Sequence, residues 1–254
     1  MNKKAFNIKV NSEKIFNLKY FLYETENNSF QQDNYFLYLH GLPGDPLNEL
    51  TFLPSLLAKN GFNTIVFNYP GTWGSEGTFS EADLISSIIC IIDHLISLHK
   101  NVSMINLFGD SFGGTLALQL LGRSQKETII PLKINKIVLK SPLLDIKPIL
   151  PFLPTTLHYL KQAGIIRVSD VKELLKEVKK INPTQFFSII DEQQVTKIWG
   201  VIGKNDEVLP AEEMIKSIQN FPSIHVELWK NFPHNSIDDK IYEKFFTKMV
   251  EFMK

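Results

Sequence analysis

Short apolar runs and longer amphipathic stripes alternate along this chain. Residues 35–39, 64–68, 105–108, 136–140 and 197–202 are runs of four to six mostly apolar residues. Such runs mark strands buried on both faces, as in a parallel sheet. Between them lie stretches with helical spacing. From Glu81 to His99, Leu84, Ile85, Ile88, Ile89, Ile92, Leu95 and Ile96 form one broad apolar stripe, so this helix is expected to pack on the sheet. Ser80 precedes it as an N-cap, with Asp83 three residues on, close to a capping box. Further helices are expected from Glu49 to Lys59, closed by Asn60-Gly61, over 115–120, over 211–219, and over 236–253 at the C-terminus. A last strand is expected at 225–228.

The first segment reads differently. Residues 6–10 and 15–23 are two strand-like runs joined by the polar turn Asn11-Ser12-Glu13, an antiparallel hairpin at a sheet edge. After it, strands alternate with helices, which implies a mostly parallel, doubly wound α/β sheet covered on both faces, in one domain of residues 1–254. Right-handed crossovers place the strands' C-terminal ends along one edge, where ligands bind. The loops beginning at His40, Pro70, Gly109, Ser141 and Gly203 leave from that edge.

Residues 145–196 break the alternation, because a single crossover helix needs far fewer. The segment opens with Ile146-Lys147-Pro148-Ile149-Leu150-Pro151-Phe152-Leu153-Pro154, apolar and punctuated by proline. Helical pieces follow at about 155–163, 169–181 and 183–191, with Pro183 well placed as a helix start. It reads as a small helical lid inserted above the ligand edge.

Composition narrows the function. Lysine plus arginine and aspartate plus glutamate are each 27, so the formal net charge is zero, and nothing favours nucleic acid or an anionic membrane as a partner. Only Arg123 and Arg167 offer guanidinium groups, so bidentate phosphate recognition is not a theme. Cys90, the one cysteine, sits in an apolar run and reads as a small buried hydrophobe. The N-terminus has no long apolar stretch behind its lysines, and no segment approaches a membrane span. A cytoplasmic protein is expected; composition leaves the oligomeric state open.

The candidate chemistry centres on Gly109-Asp110-Ser111-Phe112-Gly113, a Gly-x-Ser-x-Gly pattern between a strand-like and a helix-forming run. Glycines permit a turn too tight for side chains at those positions, and the turn lifts the serine hydroxyl to a helix N-terminus. A serine needs a base to take its proton, and histidine is the usual one. Of six histidines, His94 and His99 read as surface residues of the long helix, and His158 and His225 as structural. His40 belongs to a His-Gly turn. His234, in the loop before the last helix, can reach the serine edge. The base needs an acid to fix its tautomer. Asp206, on a short turn after the strand 197–202, is preferred over Glu207 and Asp145.

The order Ser111, Asp206, His234, with an elbow between strand and helix, resembles the α/β-hydrolase family over nearly the whole chain from Tyr35. The resemblance implies that His40-Gly41 opens an oxyanion-hole motif, with the backbone N–H groups of Leu42 and Phe112 as its donors. Such donors contribute about 2.7–4 kcal/mol each to transition-state stabilisation. The loop Asn68–Gly77 is similar to the family's Gly-x-Gly-x-Ser loop, with Trp73 where a small residue is common and Pro70 where arginine is common. Trp73, Leu150 and Phe152 are candidate walls of an acyl pocket. The expected activity is that of a serine carboxylesterase on small or medium acyl esters, acting through an acyl-enzyme. Peptidase, thioesterase and acyltransferase chemistry share the machinery, and Glu76 is a candidate to hold a peptide's amino terminus. A non-catalytic binding module on the same scaffold is the alternative of another kind. No cofactor is expected, and no metal either, since no His-Glu-x-x-His spacing occurs.

Overall fold

The computed structural model describes residues 1–25, 34–48, 52–127, 129–168, 170–193, 196–235 and 239–254. Its centre is an eight-stranded sheet in the order β1-β2-β4-β3-β5-β6-β7-β8. The strands are β1 Asn2–Asn11, β2 Ile15–Glu24, β3 Tyr35–Leu39, β4 Asn63–Phe67, β5 Met104–Asp110, β6 Lys133–Lys140, β7 Lys197–Gly203 and β8 Ile224–Trp229. β1 and β2 pair antiparallel, and β2 joins β4 antiparallel. All other neighbours are parallel. The hairpin is thus an edge, as its alternating pattern indicates. Lys3, Lys4 and Lys9 are exposed on β1, the edge strand, where charge blunts pairing with further strands.

Apolar residues of both parities occupy the inner strands because each parity feeds a separate layer. Leu37, Ile65, Leu107 and Leu139 face one core, with Ile88 and Ile92 of α2 (Glu81–Leu98) and Leu116 and Leu120 of α3 (Phe112–Glu127). Phe36, Val66, Phe108 and Val138 face the other, with Leu53 and Leu57 of α1 (Phe52–Lys59) and Phe245 and Met249 of α8 (Asp239–Met253). Each such side chain, fully buried, contributes about 1.5–3 kcal/mol.

Several boundaries shift for identifiable reasons. β4 stops at Phe67 rather than at residue 68. Asn68 turns its amide inward instead, donating from Nδ2 to Asp45 Oδ1 at 2.7 Å and accepting from Leu47 N at 3.3 Å. Ser80 caps α2 as expected, accepting from Asp83 N at 3.2 Å, but the Asp83 carboxylate reaches back to Thr78 N at 2.8 Å, not to the cap itself. The expected starts of α1 at Glu49 and of α8 at Ser236 lie outside the described residues.

Residues 145–196 divide into two parts. After the 3-10 turn Lys147–Ile149 come α4 Leu153–Gln162 and α5 Val171–Lys180, which pack on each other. Pro183 begins a 3-10 turn, Pro183–Phe186, and α6 Phe187–Gln193 follows. This last piece lies against α3 and β8, with Phe187 and Ile190 fully buried. It is the crossover helix from β6 to β7, not part of a cover. The pairing is intimate: a Cβ at Gly122 of α3 would fall 2.3 Å from Phe186 Cβ. The α4–α5 part is fastened elsewhere. Thr72 and Ile166 form a β-bridge. Trp73 N donates to Ile165 O at 2.9 Å, and Arg167 N to Gly71 O at 2.7 Å. The Glu177 carboxylate accepts from Glu81 N at 2.9 Å, a favourable charge at a helix N-terminus. The remaining helix, α7 Ala211–Ile218, covers β8. Among the described residues, no helix is long and apolar enough to cross a membrane.

At the outer end of the sheet, Glu227 of β8 accepts from Trp199 Nε1 and Trp229 Nε1, each at 2.8 Å, and from Lys248 Nζ at 2.9 Å. Partial burial would push its carboxyl up, but these donors outweigh it and bring the pKa down to about 2. A depressed carboxylate stabilises the fold above its unfolded pKa of about 4.3, and that stability is lost as pH falls toward the folded value. Glu227→Gln should therefore cost about 1 kcal/mol at pH 6. The difference from wild type, read from urea midpoints, should close progressively between about pH 4.3 and about pH 2.

Candidate active site

β5 ends at Asp110, and Ser111 turns the chain into α3 with φ of 52°. That left-handed backbone is unusual for a residue with a Cβ, and the surroundings hold it. Ser111 N donates to Lys140 O at 2.9 Å, and Ser111 O accepts from Gly114 N at 2.9 Å and Leu143 N at 3.0 Å. The flanking glycines are required by close approach. A Cβ at Gly113 would lie 1.8 Å from Leu39 O, and one at Gly109 would lie 2.7 Å from Gly113 O.

The turn presents Ser111 Oγ at 2.9 Å from His234 Nε2. His234 Nδ1 lies 3.0 Å from Asp206 Oδ1 and 2.9 Å from Oδ2. A carboxylate only accepts, so Nδ1 carries the proton, leaving Nε2 to accept from the serine hydroxyl. Asp206 is buried beneath the imidazole and also accepts from Val208 N at 2.9 Å and Leu209 N at 2.7 Å. Burial raises its carboxyl, but the hydrogen bonds from His234, Leu209 and Val208 outweigh this and hold it below the usual aspartate range.

The rival carboxylates have other tasks. Glu207 Oε2 accepts from His234 N and Oε1 from Asn235 N, both at 3.0 Å, so it grips the backbone of the histidine loop. Asp145 accepts from Asn182 Nδ2 and Lys147 N, each at 3.0 Å, and ties down the 145–196 segment. The other histidines are elsewhere. His94 is half-buried against Phe6 and bonded to the Tyr20 hydroxyl at 2.7 Å, rather than a plain surface residue. His99 lies 3.6 Å from a Glu24 oxygen. His158 and His225, read as structural, are both exposed.

His40 is buried and stacked on Tyr69, ring centroids 3.8 Å apart. Its Nδ1 donates to Gly41 O at 2.8 Å, which also accepts from Gly44 N at 2.8 Å. The Tyr69 hydroxyl donates to His40 O at 2.7 Å. These contacts fix the His40–Gly44 turn beside Ser111. Burial pushes His40 down to about 4, so it is neutral near pH 7. Among the described residues, neither Leu42 N–H nor Phe112 N–H donates to any protein group.

These elements frame a cleft of about 550 Å³. Leu42, Pro43, Trp73 and Ile165 supply apolar wall, and Tyr38, Asp110, Lys140 and Tyr242 supply polar wall. Trp73 Nε1 donates to Pro43 O at 2.6 Å, which fixes its ring. Leu150 and Phe152 do not line the cleft. The proline-punctuated stretch coils into the 3-10 turn and starts α4 at once, leaving Leu150 half-buried and Phe152 71% exposed. Ile165 takes the place foreseen for them; its signal is an apolar pair, Ile165-Ile166, just after Gly164 at φ 70°. Glu76 also lies outside the cleft, its carboxylate accepting from Asn17 N at 2.9 Å. A groove of about 750 Å³ along α1 and α8 shares Tyr242 with the cleft but holds none of Ser111, Asp206 and His234. Among the described residues, no cluster of three or more histidine, cysteine, aspartate or glutamate side chains has a metal-holding arrangement.

An order with β3 beside β5, a serine elbow between β5 and α3, and an aspartate and histidine from later loops defines an α/β protein of hydrolase type. The family model of the alpha/beta hydrolase fold matches residues 34–196, and the chain belongs to that family. An uncharacterized membrane protein of Saccharomyces cerevisiae, YNL320W, is 24% identical over 187 residues, 72% of this chain and 57% of that protein. The chain therefore spans little more than half the length of this relative. Among solved structures, a putative hydrolase from Agrobacterium vitis superposes with a TM-score of 0.73 at 17% identity, covering 98% of this chain and 99% of the other. A soluble variant of monoglyceride lipase from Saccharomyces cerevisiae, in complex with a substrate analog, superposes with a TM-score of 0.69 at 15% identity, covering 98% and 94%. Both likenesses concern the fold.

The close approach at the elbow makes a specific prediction. Gly113→Ala should destabilise the protein by at least about 3 kcal/mol or prevent folding, because the new Cβ meets backbone that cannot yield. Ser111→Ala, which only removes a hydroxyl, should melt within a few degrees of wild type in the same thermal scan.

Proposed function

We propose that the protein is a serine hydrolase acting on carboxylic esters of small or medium acyl chain through an acyl-enzyme. One observation carries this reading: the unbroken chain of hydrogen bonds from Ser111 Oγ through His234 to Asp206, 2.9 Å at each end. Ser111 attacks the ester carbonyl as His234 Nε2 takes its proton. Asp206 holds the tautomer and stabilises the imidazolium. The N–H groups of Leu42 and Phe112, which have no protein acceptor among the described residues, receive the oxyanion. His234 then returns the proton to the leaving alcohol, and water, activated by the same imidazole, releases the acid.

A cleft of about 550 Å³ suits a compact ester, and the α4–α5 part of 145–196 serves as a lid, reaching the cleft through Ile165. The likeness to a monoglyceride lipase, with a TM-score of 0.69, favours esters over peptides. The engagement of Glu76 with Asn17 removes the one feature that favoured an aminopeptidase.

A fluorophosphonate probe should label wild type but not Ser111→Ala. On p-nitrophenyl esters of rising chain length, run beside acyl thioesters and aminoacyl p-nitroanilides, turnover should be highest for short to medium esters. Ser111→Ala should lower kcat by at least about 10⁴-fold, and Asp206→Asn by about 10²–10⁴-fold. His40, already at about 4, should add no limb to the pH profile of activity above pH 5. An unlabelled wild type, or equal labelling of Ser111→Ala, would count for a non-catalytic module.

A further inference from the structure

Lys140 ends β6 and is almost wholly enclosed, its side chain 7% exposed. Its ammonium lies 3.0 Å from Asp110 Oδ1, 3.2 Å from Asp110 Oδ2 and 3.1 Å from His234 O. All three of its protons are thereby used. One acceptor residue immediately precedes the nucleophile; the other is the backbone of the base. A buried ion pair is a poor way to gain stability, since an apolar residue of like volume often does as well or better. Packing alone does not account for an ammonium here.

We propose that Lys140, paired with Asp110, is a positioning residue that couples the Ser111 turn to the His234 loop and holds Nε2 in register with Oγ. The inference rests on the serine-hydrolase reading. Glu207 grips the N–H side of the His234 peptide and Lys140 grips its carbonyl side, so the imidazole is fixed through its own backbone as well as through Asp206. The pair also sets the local field. Facing Lys140 are Asp110 from β5, Tyr242 from α8, and Asp206 and His234 from the loops after β7 and β8, while the Tyr38 hydroxyl of β3 bonds Asp110. Burial opposes the lysine's charge, but Asp110 and its other neighbours outweigh this and raise its pKa above the ordinary value, so the ammonium is permanent. A fixed positive charge beside the His234 loop opposes an imidazolium there, and the Asp110 carboxylate favours one.

The test uses the intact chain with Lys140→Met, Asp110→Asn, the double variant and Lys140→Arg, with active sites counted by fluorophosphonate titration. Lys140→Met should lower kcat per titrated site about 10–100-fold with KM within about threefold. Its acid limb in kcat/KM should move to higher pH by about half a unit to one unit, because an opposing charge is gone. Asp110→Asn should move the limb the other way, and the double variant should return it close to wild type. Lys140→Arg, which keeps charge and donors, should leave the limb in place and recover kcat to within about tenfold. NMR titration of the His234 imidazole in Ser111→Ala versions should show the same opposite displacements without turnover. A merely structural role would lower melting temperature and the titratable fraction but leave both limb and kcat per site unchanged; that result, or displacement of both limbs in one direction, overturns the proposal. If Lys140→Met does not fold, Asp110→Asn and Lys140→Arg decide it by the same limbs. Failure of wild type to label would instead refute the hydrolase reading, while the NMR displacements would still decide the coupling.

Discussion

The position of Ser111 follows from how closely α3 is drawn against the end of β3. Gly113 sits where no Cβ fits beneath the Leu39 carbonyl, and this contact tips the start of α3 over the sheet edge. Ser111 takes up the difference between strand direction and helix direction in a single left-handed residue, at φ 52°. Strain of this kind costs on the order of 1–3 kcal/mol and persists only when neighbours over-determine it. Here three backbone hydrogen bonds do so, to Lys140 and from Gly114 and Leu143. The direction of the Ser111 Cα–Cβ bond is thus a consequence of main-chain packing, and the hydrogen bond to His234 Nε2 selects the hydroxyl's rotamer.

The histidine has no such support from the sheet. It lies in a connection between β8 and α8, and loops at that level are held mainly by polar contacts. Its position is secured from three directions: Asp206 at Nδ1, Glu207 at its N–H, and Lys140 at its carbonyl. Asp206 is fixed in turn by the N–H groups of Val208 and Leu209, and Gly203 lets the chain pass so near Phe232 that a Cβ would fall 1.8 Å from its carbonyl. The rigid part of the site is therefore made by glycine and backbone, and the adjustable part by charge.

What the sequence revealed follows the same division. The parallel sheet, the edge hairpin and the serine elbow were legible because buried strands are continuous apolar runs and because Gly109, Gly113 and Ser111 leave a local mark. The spatial meeting of Ser111, His234 and Asp206 followed from topology, since all three leave the same sheet edge. Of the expected pocket wall, Trp73 lines the cleft and Leu150 and Phe152 do not. Leu150 and Phe152 are apolar, but composition does not say which side of a 3-10 turn faces a cleft. Lys140 is hidden for another reason: a lysine at a strand's end is an ordinary surface feature until the fold buries it, and Glu207, a rival acid in the sequence, shows its grip on the His234 loop only in three dimensions.

The 145–196 segment shows how one insertion serves two mechanical ends. Its last helix, α6, is bound into the sheet's own layer through Phe186, Phe187 and Ile190, so it has the stability of the core. Its first two helices are fastened by hydrogen bonds, namely the bridge at Thr72–Ile166, Arg167 to Gly71, and Glu177 to the start of α2, and by Leu157, Leu160, Leu174 and Val178, which are buried in the same core as α2 and α3. Each such hydrogen bond contributes about 0.5–1.5 kcal/mol, and each fully buried apolar side chain about 1.5–3 kcal/mol. The side chain that this part lends to the cleft, Ile165, stands next to the bridge, and Trp73 is joined to the same strand-like stretch through Ile165 O. The apolar wall of the cleft is thus set in part by the first half of the insertion, while Ser111 rests on the sheet and His234 on Asp206, Glu207 and Lys140. Substitutions beside Ile165 therefore act on the shape of the cleft through a segment separate from the elbow that carries Ser111.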